Sequence, residues 1–316
     1  MTRKVLAALA VALAIASCPV QAQPPKEVNW GYPVQSAYFW DVFAAIDFGY
    51  MAEQGLKVNP IITQNVTQQM QMLVTNAVDI VSANTELVIS AIDKGADLAI
   101  IAGETARQGY ALIARPEINS YSDLKGKVLG ITQLREASGT ALELLLKKNG
   151  VNPGEYSVIP LGGTPNRFAA LTRGAVAATM LSPPADFKAL SQGMKRLGFG
   201  YEGLEAPQIL FTIQRDWGRK NEDTLVRFLK ATLKASRWLY DPKNKEAAAN
   251  VLVKAIGGSH EDALMSYDYF FGQGRVAAHE LEVTPAGIKA FLDLRNSEDK
   301  PEKYLDLSYL NKTLGK

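Results

Sequence analysis

The chain has 316 residues, 47% hydrophobic and 21% charged, an ordinary globular composition with length for about two domains. Lys and Arg number 34 against 32 Asp and Glu, and two of the basic residues, Arg3 and Lys4, lie in the first 22 positions, so the remainder carries 32 of each sign. That balance excludes the basic footprint of nucleic-acid binding, and the single cysteine, Cys18, excludes a disulfide framework.

Val5–Ser17 is apolar and Val20-Gln21-Ala22 puts small residues where a signal peptidase reads, so residues 1–22 read as a secretory signal peptide cut after Ala22. The run is too short for a membrane span. Ile15-Ala16-Ser17-Cys18 also fits the pattern before a lipid-modified cysteine, although Pro19 follows at once. The expected mature protein is soluble and periplasmic.

Beyond the leader, apolar runs predict strands at Glu27–Tyr32, Lys57–Ile62, Asp79–Ala83, Leu98–Ala102, Tyr110–Ala114, Val128–Ile131, Tyr156–Pro160 and Ala177–Leu181. Helical periodicity predicts helices at Trp40–Gln54, Val66–Thr75, Glu86–Lys94, Thr140–Lys148, Asn166–Thr172 and Ala185–Gln192. This alternation predicts α/β layers with mainly parallel sheets. After Arg219 the pattern turns helical, with one long amphipathic helix at Asn221–Tyr240 ended by Asp241-Pro242.

Two stretches form a near-repeat: Leu73–Asn84 (LVTNAVDIVSAN) and Leu171–Ser182 (LTRGAVAATMLS). Each reads as a helix end, a left-handed turn residue (Asn76 or Gly174), then a short buried strand ending in a small polar residue. Two similar lobes suggest a ligand held between them, beyond the carboxyl ends of the strands; chance likeness of two αβ units is the alternative.

Four motifs in order carry a family resemblance: GYMAEQGLKV (Gly49–Val58), YSDLKGKVLGIT (Tyr121–Thr132), PLGGTPNRFAALTRGAVAATMLSPP (Pro160–Pro184) and RFLKATLKASRWLYDP (Arg227–Pro242). Over nearly the whole mature length the chain resembles the periplasmic substrate-binding proteins of ABC transporters of the nitrate, sulfonate and taurine kind, a group that the thiamine-pyrimidine synthases also resemble. The resemblance implies the α/β type II two-lobed periplasmic binding protein fold, with two parallel or mixed sheets flanked by helices and the ligand cleft between the lobes. Lobe one would be residues 27–113 with 211–316, and lobe two residues 114–209, with hinges in ALIARPE and PQILFTIQ. It also implies a monomer that is not an enzyme, uses no cofactor and hands its ligand to a membrane permease. Three positions depart from the pattern: Ala177 replaces the usual Asp, Asn76 the usual Gly, and Asp41 a frequent Pro.

Recognition candidates follow from the loops at the strand ends. The first loop offers Ser36, Tyr38, Phe39, Trp40 and Asp41, with aromatic faces for the body of a solute. Asn84 and Thr85 follow the next strand, where helix capping is the other reading, and Glu104 and Thr105 follow the fourth. In lobe two the candidates are Arg135, Ser138, Gly139 and Thr140, then Gly163 and Thr164, then Ser182 and Pro183. In the family the loop around Ser138 meets the ligand's acidic end, and Arg135 could add a bidentate clamp. Thr140 with Glu143 also fits a capping box, S/T-x-x-E.

The leading expectation is capture of a small organic anion, sulfonate- or aromatic-carboxylate-like. A neutral or cationic heterocycle such as a vitamin precursor is the alternative, served by Asp41 and Glu104. A thiamine-pyrimidine-synthase-like enzyme would need a reactive histidine and a cysteine-rich iron site. The two histidines, His260 and His279, both fall in the helical tail, and no metal-ligand spacing is visible.

Overall fold

The computed structural model describes residues 24–63, 66–134 and 137–316, so the leader, Cys18 and Arg135 lie outside the described residues. The described strands are β1 (Lys26–Tyr32), β2 (Leu56–Ile62), β3 (Ile80–Asn84), β4 (Leu98–Gly103), β5 (Ala111–Ala114), β6 (Val128–Ile131), β7 (Ser157–Pro160), β8 (Ala178–Leu181), β9 (Lys195–Phe199) and β10 (Ile209–Gln214). They form two five-stranded sheets, ordered β2-β1-β3-β10-β4 and β7-β6-β8-β5-β9.

The two sheets share one plan. β1 runs parallel to β2 and β3, while β10 is antiparallel to β3 and β4. Likewise β6 runs parallel to β7 and β8, while β5 is antiparallel to β8 and β9. The near-repeat strands, β3 and β8, take the same central place in each. Asn76 (φ 56°) and Gly174 (φ 76°) make the left-handed turns before them. In each turn the next N–H reaches back to close the helix end, Ala77 to the Met72 carbonyl and Ala175 to that of Ala170, both at 2.8–2.9 Å.

β5 and β10 are the strands that carry the chain into the opposite lobe, and they correct the expected boundaries. ALIARPE and PQILFTIQ were expected as hinges, yet Ala111–Ala114 is a fully buried strand of the second sheet and Ile209–Gln214 is interior to the first. The crossovers are residues 104–110 and 204–208, just before each strand. β9, unforeseen in KRLGF, is a half-buried edge strand whose Lys195 and Arg196 hide the alternation.

The expected helix Trp40–Gln54 breaks at Gly49 (φ 74°) into Trp40–Asp47 and Tyr50–Glu53. The long helix Glu222–Leu239 lays Leu225, Phe228, Leu229 and Leu233 onto the first lobe's core. Phe228 meets Phe211 of β10 edge-on at 5.6 Å, an arrangement aromatic quadrupoles favour.

The lobes also touch beside the crossovers. Tyr269, in the π-helical turn Asp268–Gly272, stacks on Phe199 of β9 at 5.3 Å and meets Phe187 of the helix Ala185–Ser191 edge-on at 6.3 Å. Behind that contact, buried Asp186 pairs with Arg196 at 3.0 Å. Burial pushes the Asp186 carboxyl up to about 6, with the Arg196 charge holding it from rising further.

Candidate ligand cleft

A cavity of about 240 Å³ lies between the sheets, at the small end of ligand sites, which run to roughly 300–1,000 Å³. Its walls are the segments just beyond the carboxyl ends of β1, β3, β6, β7 and β8, the place open α/β sheets offer a ligand. Lobe one contributes Val34, Ser36, Tyr38, Phe39 and Asn84; lobe two contributes Thr132, Ser138, Gly162, Gly163, Thr164, Arg167 and Ser182. Tyr110, Gln208 and Ile209 close the side where the chain crosses.

The lobe-two wall is a hydroxyl cluster around one guanidinium. Arg167, in the helix Thr164–Thr172, is 1% exposed and donates to the hydroxyls of Thr132 and, at 2.9 Å, Thr164. Its guanidinium carbon lies 5.6 Å from the centre of the Tyr110 ring. Thr164 in turn shares a 3.0 Å hydrogen bond with Ser182. Ser138 Oγ accepts from the Thr132 N–H and donates to the Thr132 hydroxyl, both at 2.8 Å, which pins the loop after β6. Gly163 is the N-cap of the Arg167 helix and Gly162 (φ 76°) makes the turn before it, so the positive end of that helix opens toward the cavity.

The lobe-one wall is aromatic and carries spare acceptors. Tyr38 is held by its hydroxyl on Gln208 (2.9 Å) and by edge contacts to Phe270 and Tyr110 at 5.4 and 6.4 Å. Asn84 Oδ1 and Ser36 Oγ are buried without a hydrogen-bond partner.

Eight of the expected residues therefore line the cavity: Ser36, Tyr38, Phe39, Asn84, Ser138, Gly163, Thr164 and Ser182. Others stand elsewhere. Trp40 faces the core, its indole N–H donating to the Ala248 carbonyl at 3.0 Å and its ring set against Phe271. Asp41 and Glu104 line a separate interior void of about 10 Å³ with Ser236, Phe270 and Phe271. Burial raises Asp41 to about 7; burial, then the Asp41 charge, raises Glu104 well above the carboxylate range.

Asn84 caps its helix through no side-chain bond, and Thr85 spends its hydroxyl on the Pro207 carbonyl at 2.8 Å. Thr105 Oγ1 accepts from the N–H groups of Gln208 and Ile209, bracing the crossovers. The helix expected from Thr140 starts at Ala137, so Thr140 sits inside its first turns and the capping box does not form. Gly139, Thr140 and Pro183 are off the lining, and Arg135 lies outside the described residues. Sequence reasoning missed Arg167, Thr132, Tyr110 and Gln208; the signal for Arg167 was its place one turn into a helix that follows Gly162-Gly163-Thr164.

Comparison with known proteins agrees with this fold. The NMT1/THI5-like family model matches residues 36–245. YtlA of Bacillus subtilis (strain 168), a candidate binding protein, is 27% identical over 242 residues, covering 74% of this chain and 72% of YtlA. The ligand-binding component of an ABC-type import system from Staphylococcus aureus, solved with zinc bound, superposes with TM-score 0.78 at 14% identity, covering 91% of this chain and 99% of that one. The periplasmic nitrate-binding protein NrtA of Synechocystis gives 0.73 at 16% over 92% and 88%, and the aliphatic sulphonate-binding SsuA of Escherichia coli 0.67 at 18% over 92% and 99%. The desulfurization enzyme DszB shares the fold as well, at 0.66 and 13% over 92% and 99%. With more than half its length matched by the family model and 91–92% of it covered by these structures, the chain belongs to the NMT1/THI5-like family and has the two-lobed fold of the ABC-type periplasmic binding proteins.

Proposed function

We propose that the protein is an extracytoplasmic solute-binding component of an ABC importer, closing its two lobes on a small organic anion and passing it to a membrane permease. The observation that carries the anion is Arg167, a guanidinium fixed in the cavity wall by Thr132 and Thr164 and flanked by Ser138 and Ser182. A fork already held in place loses little rotamer freedom on meeting a carboxylate or sulfonate, and the bidentate match adds direction. Tyr38, Phe39 and Tyr110 supply the apolar faces for the rest of the solute.

A cationic solute fits less well, because its two acidic candidates, Asp41 and Glu104, face the interior void. The fold is shared with an enzyme, so it does not by itself separate transport from catalysis. The lining does favour binding: it presents hydroxyls, amides and a guanidinium, while His260 pairs with Glu246 and His279 packs on Tyr240, both away from the cavity. Residues 104–110 and 204–208 would serve as the hinge.

The test is a thermal-shift screen of the mature protein against sulfonates, aromatic and aliphatic acids, nitrate, and pyrimidine or flavin precursors, since a ligand of the native state raises the melting temperature. Organic anions are expected to shift it. Shifts from neutral or cationic heterocycles alone would overturn the reading.

A further inference from the structure

The two crossovers are tied to each other by side-chain hydrogen bonds, and one of those side chains also reaches the cavity. Thr105, on the first, accepts from the backbone N–H groups of Gln208 on the second (2.8 Å) and of Ile209 at the start of β10 (2.9 Å). Gln208 returns the link: its Oε1 accepts from the Gly109 N–H at 2.8 Å and from the Tyr38 hydroxyl at 2.9 Å. A backbone N–H only donates, so the Gly109 bond fixes which end of the amide is oxygen. Both acceptor directions of that oxygen are then in use. The polar group this side chain has left is its NH2, and Gln208 lines the cavity.

Gly109 makes the arrangement possible. A Cβ there would come within 2.8 Å of the Tyr38 ring and hydroxyl, so only glycine lets Tyr38 and Gln208 meet over the first crossover. Gln108 adds a second tie, its amide donating to the Ala206 carbonyl at 3.1 Å. Tyr38, Gly109 and Gln208 thus belong to lobe one and to each crossover in turn, joined by hydrogen bonds into one unit.

We propose that Gln208 is a specificity-determining residue that reports the solute to the crossovers: its NH2 donates to an acceptor oxygen of the anion that Arg167 holds from lobe two. The inference rests on the anion reading of the cleft. It adds a requirement on the solute, which must present an acceptor oxygen toward the crossovers beyond those that Arg167 takes. A three-oxygen sulfonate head meets it, as does a carboxylate with a neighbouring carbonyl or hydroxyl. It also gives closure a trigger, since a solute joined to both Arg167 and Gln208 bridges lobe two to the crossover unit.

Two variants separate this role from a structural one. Gln208→Met removes both amide ends. Gln208→Glu keeps an acceptor for Gly109 and Tyr38, removes the donor and adds a negative charge beside the anion. Wild type, both variants and Arg167→Gln would be titrated calorimetrically at pH 8 with methanesulfonate, benzenesulfonate, acetate and benzoate. A hydrogen bond to a charged acceptor corresponds to roughly a 10- to 100-fold change in affinity. Both Gln208 variants are expected to weaken the tightest probe by at least that factor, Gln208→Glu the more because its charge also repels the anion. If Arg167→Gln loses binding and the neutral Gln208→Met matches wild type, the anion reading stands and this inference falls, whatever Gln208→Glu does. If no probe binds wild type, both fall.

Discussion

The guanidinium of Arg167 lies over the ring of Tyr110, 5.6 Å from its centre, so a lobe-two helix and the end of the first crossover meet at one charged contact. The cation is worth about 0.5–2 kcal/mol to the ring. A paired carboxylate or sulfonate in the same place is worth more, because both partners are charged and the geometry is bidentate. Arg167→Gln is therefore expected to weaken organic-anion binding by at least about 100-fold, read by titration calorimetry, with the far-ultraviolet circular dichroism unchanged. Binding within about threefold of wild type would remove Arg167 from the site.

Gly139 supplies the opposite control. A Cβ added there meets only the Gln133 carbonyl at 3.5 Å and Ile131 at 3.6 Å, ordinary contact, and the residue is helical. Gly139→Ala is expected to raise stability by about 0.5–1 kcal/mol and to leave affinity alone. A lost affinity would return this residue to the ligand's surroundings.

Asp41 and Glu104 predict a pH profile. Burial raises both above their unfolded values, Asp41 to about 7, so the native state holds more protons than the unfolded chain between about pH 4 and 7. Their contribution is full below the unfolded pKa and is lost as pH rises through the folded one. Asp41→Asn, which keeps an acceptor for the Val42 N–H, removes part of that slope. Denaturant unfolding at pH 5 and pH 8 should show wild type losing about 2–4 kcal/mol more than the variant over this range. Identical slopes would contradict the assignment.

Tyr269 reads the lobe contact. Its ring holds Phe199 and Phe187 of the other lobe, and such pairs are worth about 0.5–1.5 kcal/mol each beyond the area they bury. Tyr269→Ala should enlarge the radius of gyration of the unliganded protein in small-angle scattering, and saturating solute should reverse part of the change. An unchanged radius would show that the contact does not hold the lobes together.

Much of the fold was legible because its short apolar runs and turn residues are local signals. Asn76 and Gly174 marked the ends of two helices, and the strands after them proved to be the matching centres of both sheets. β10 was harder: ILFTIQ is apolar throughout, and only its antiparallel partners β3 and β4 show it is a sheet strand and no hinge. The site was half legible. Ser36, Tyr38, Asn84 and Ser182 sit at or just beyond strand ends, which a sequence marks. Arg167 and Gln208 are single polar residues whose burial arises from segments 30 to 170 positions away, such as Thr132 and Tyr38. Asp41 and Glu104 mislead for the same reason, since charge in a sequence says nothing of which side of a helix start the fold will bury.

The most direct test of the central claim is a crystal structure of the closed protein with the tightest organic anion from the screen. The account predicts the acidic group within hydrogen-bond distance of Arg167, between the helix starts at Ala137 and Thr164, with the body of the solute against Tyr38 and Tyr110. An anion seated outside this cavity, or inside it with its acidic group turned away from Arg167, would contradict it.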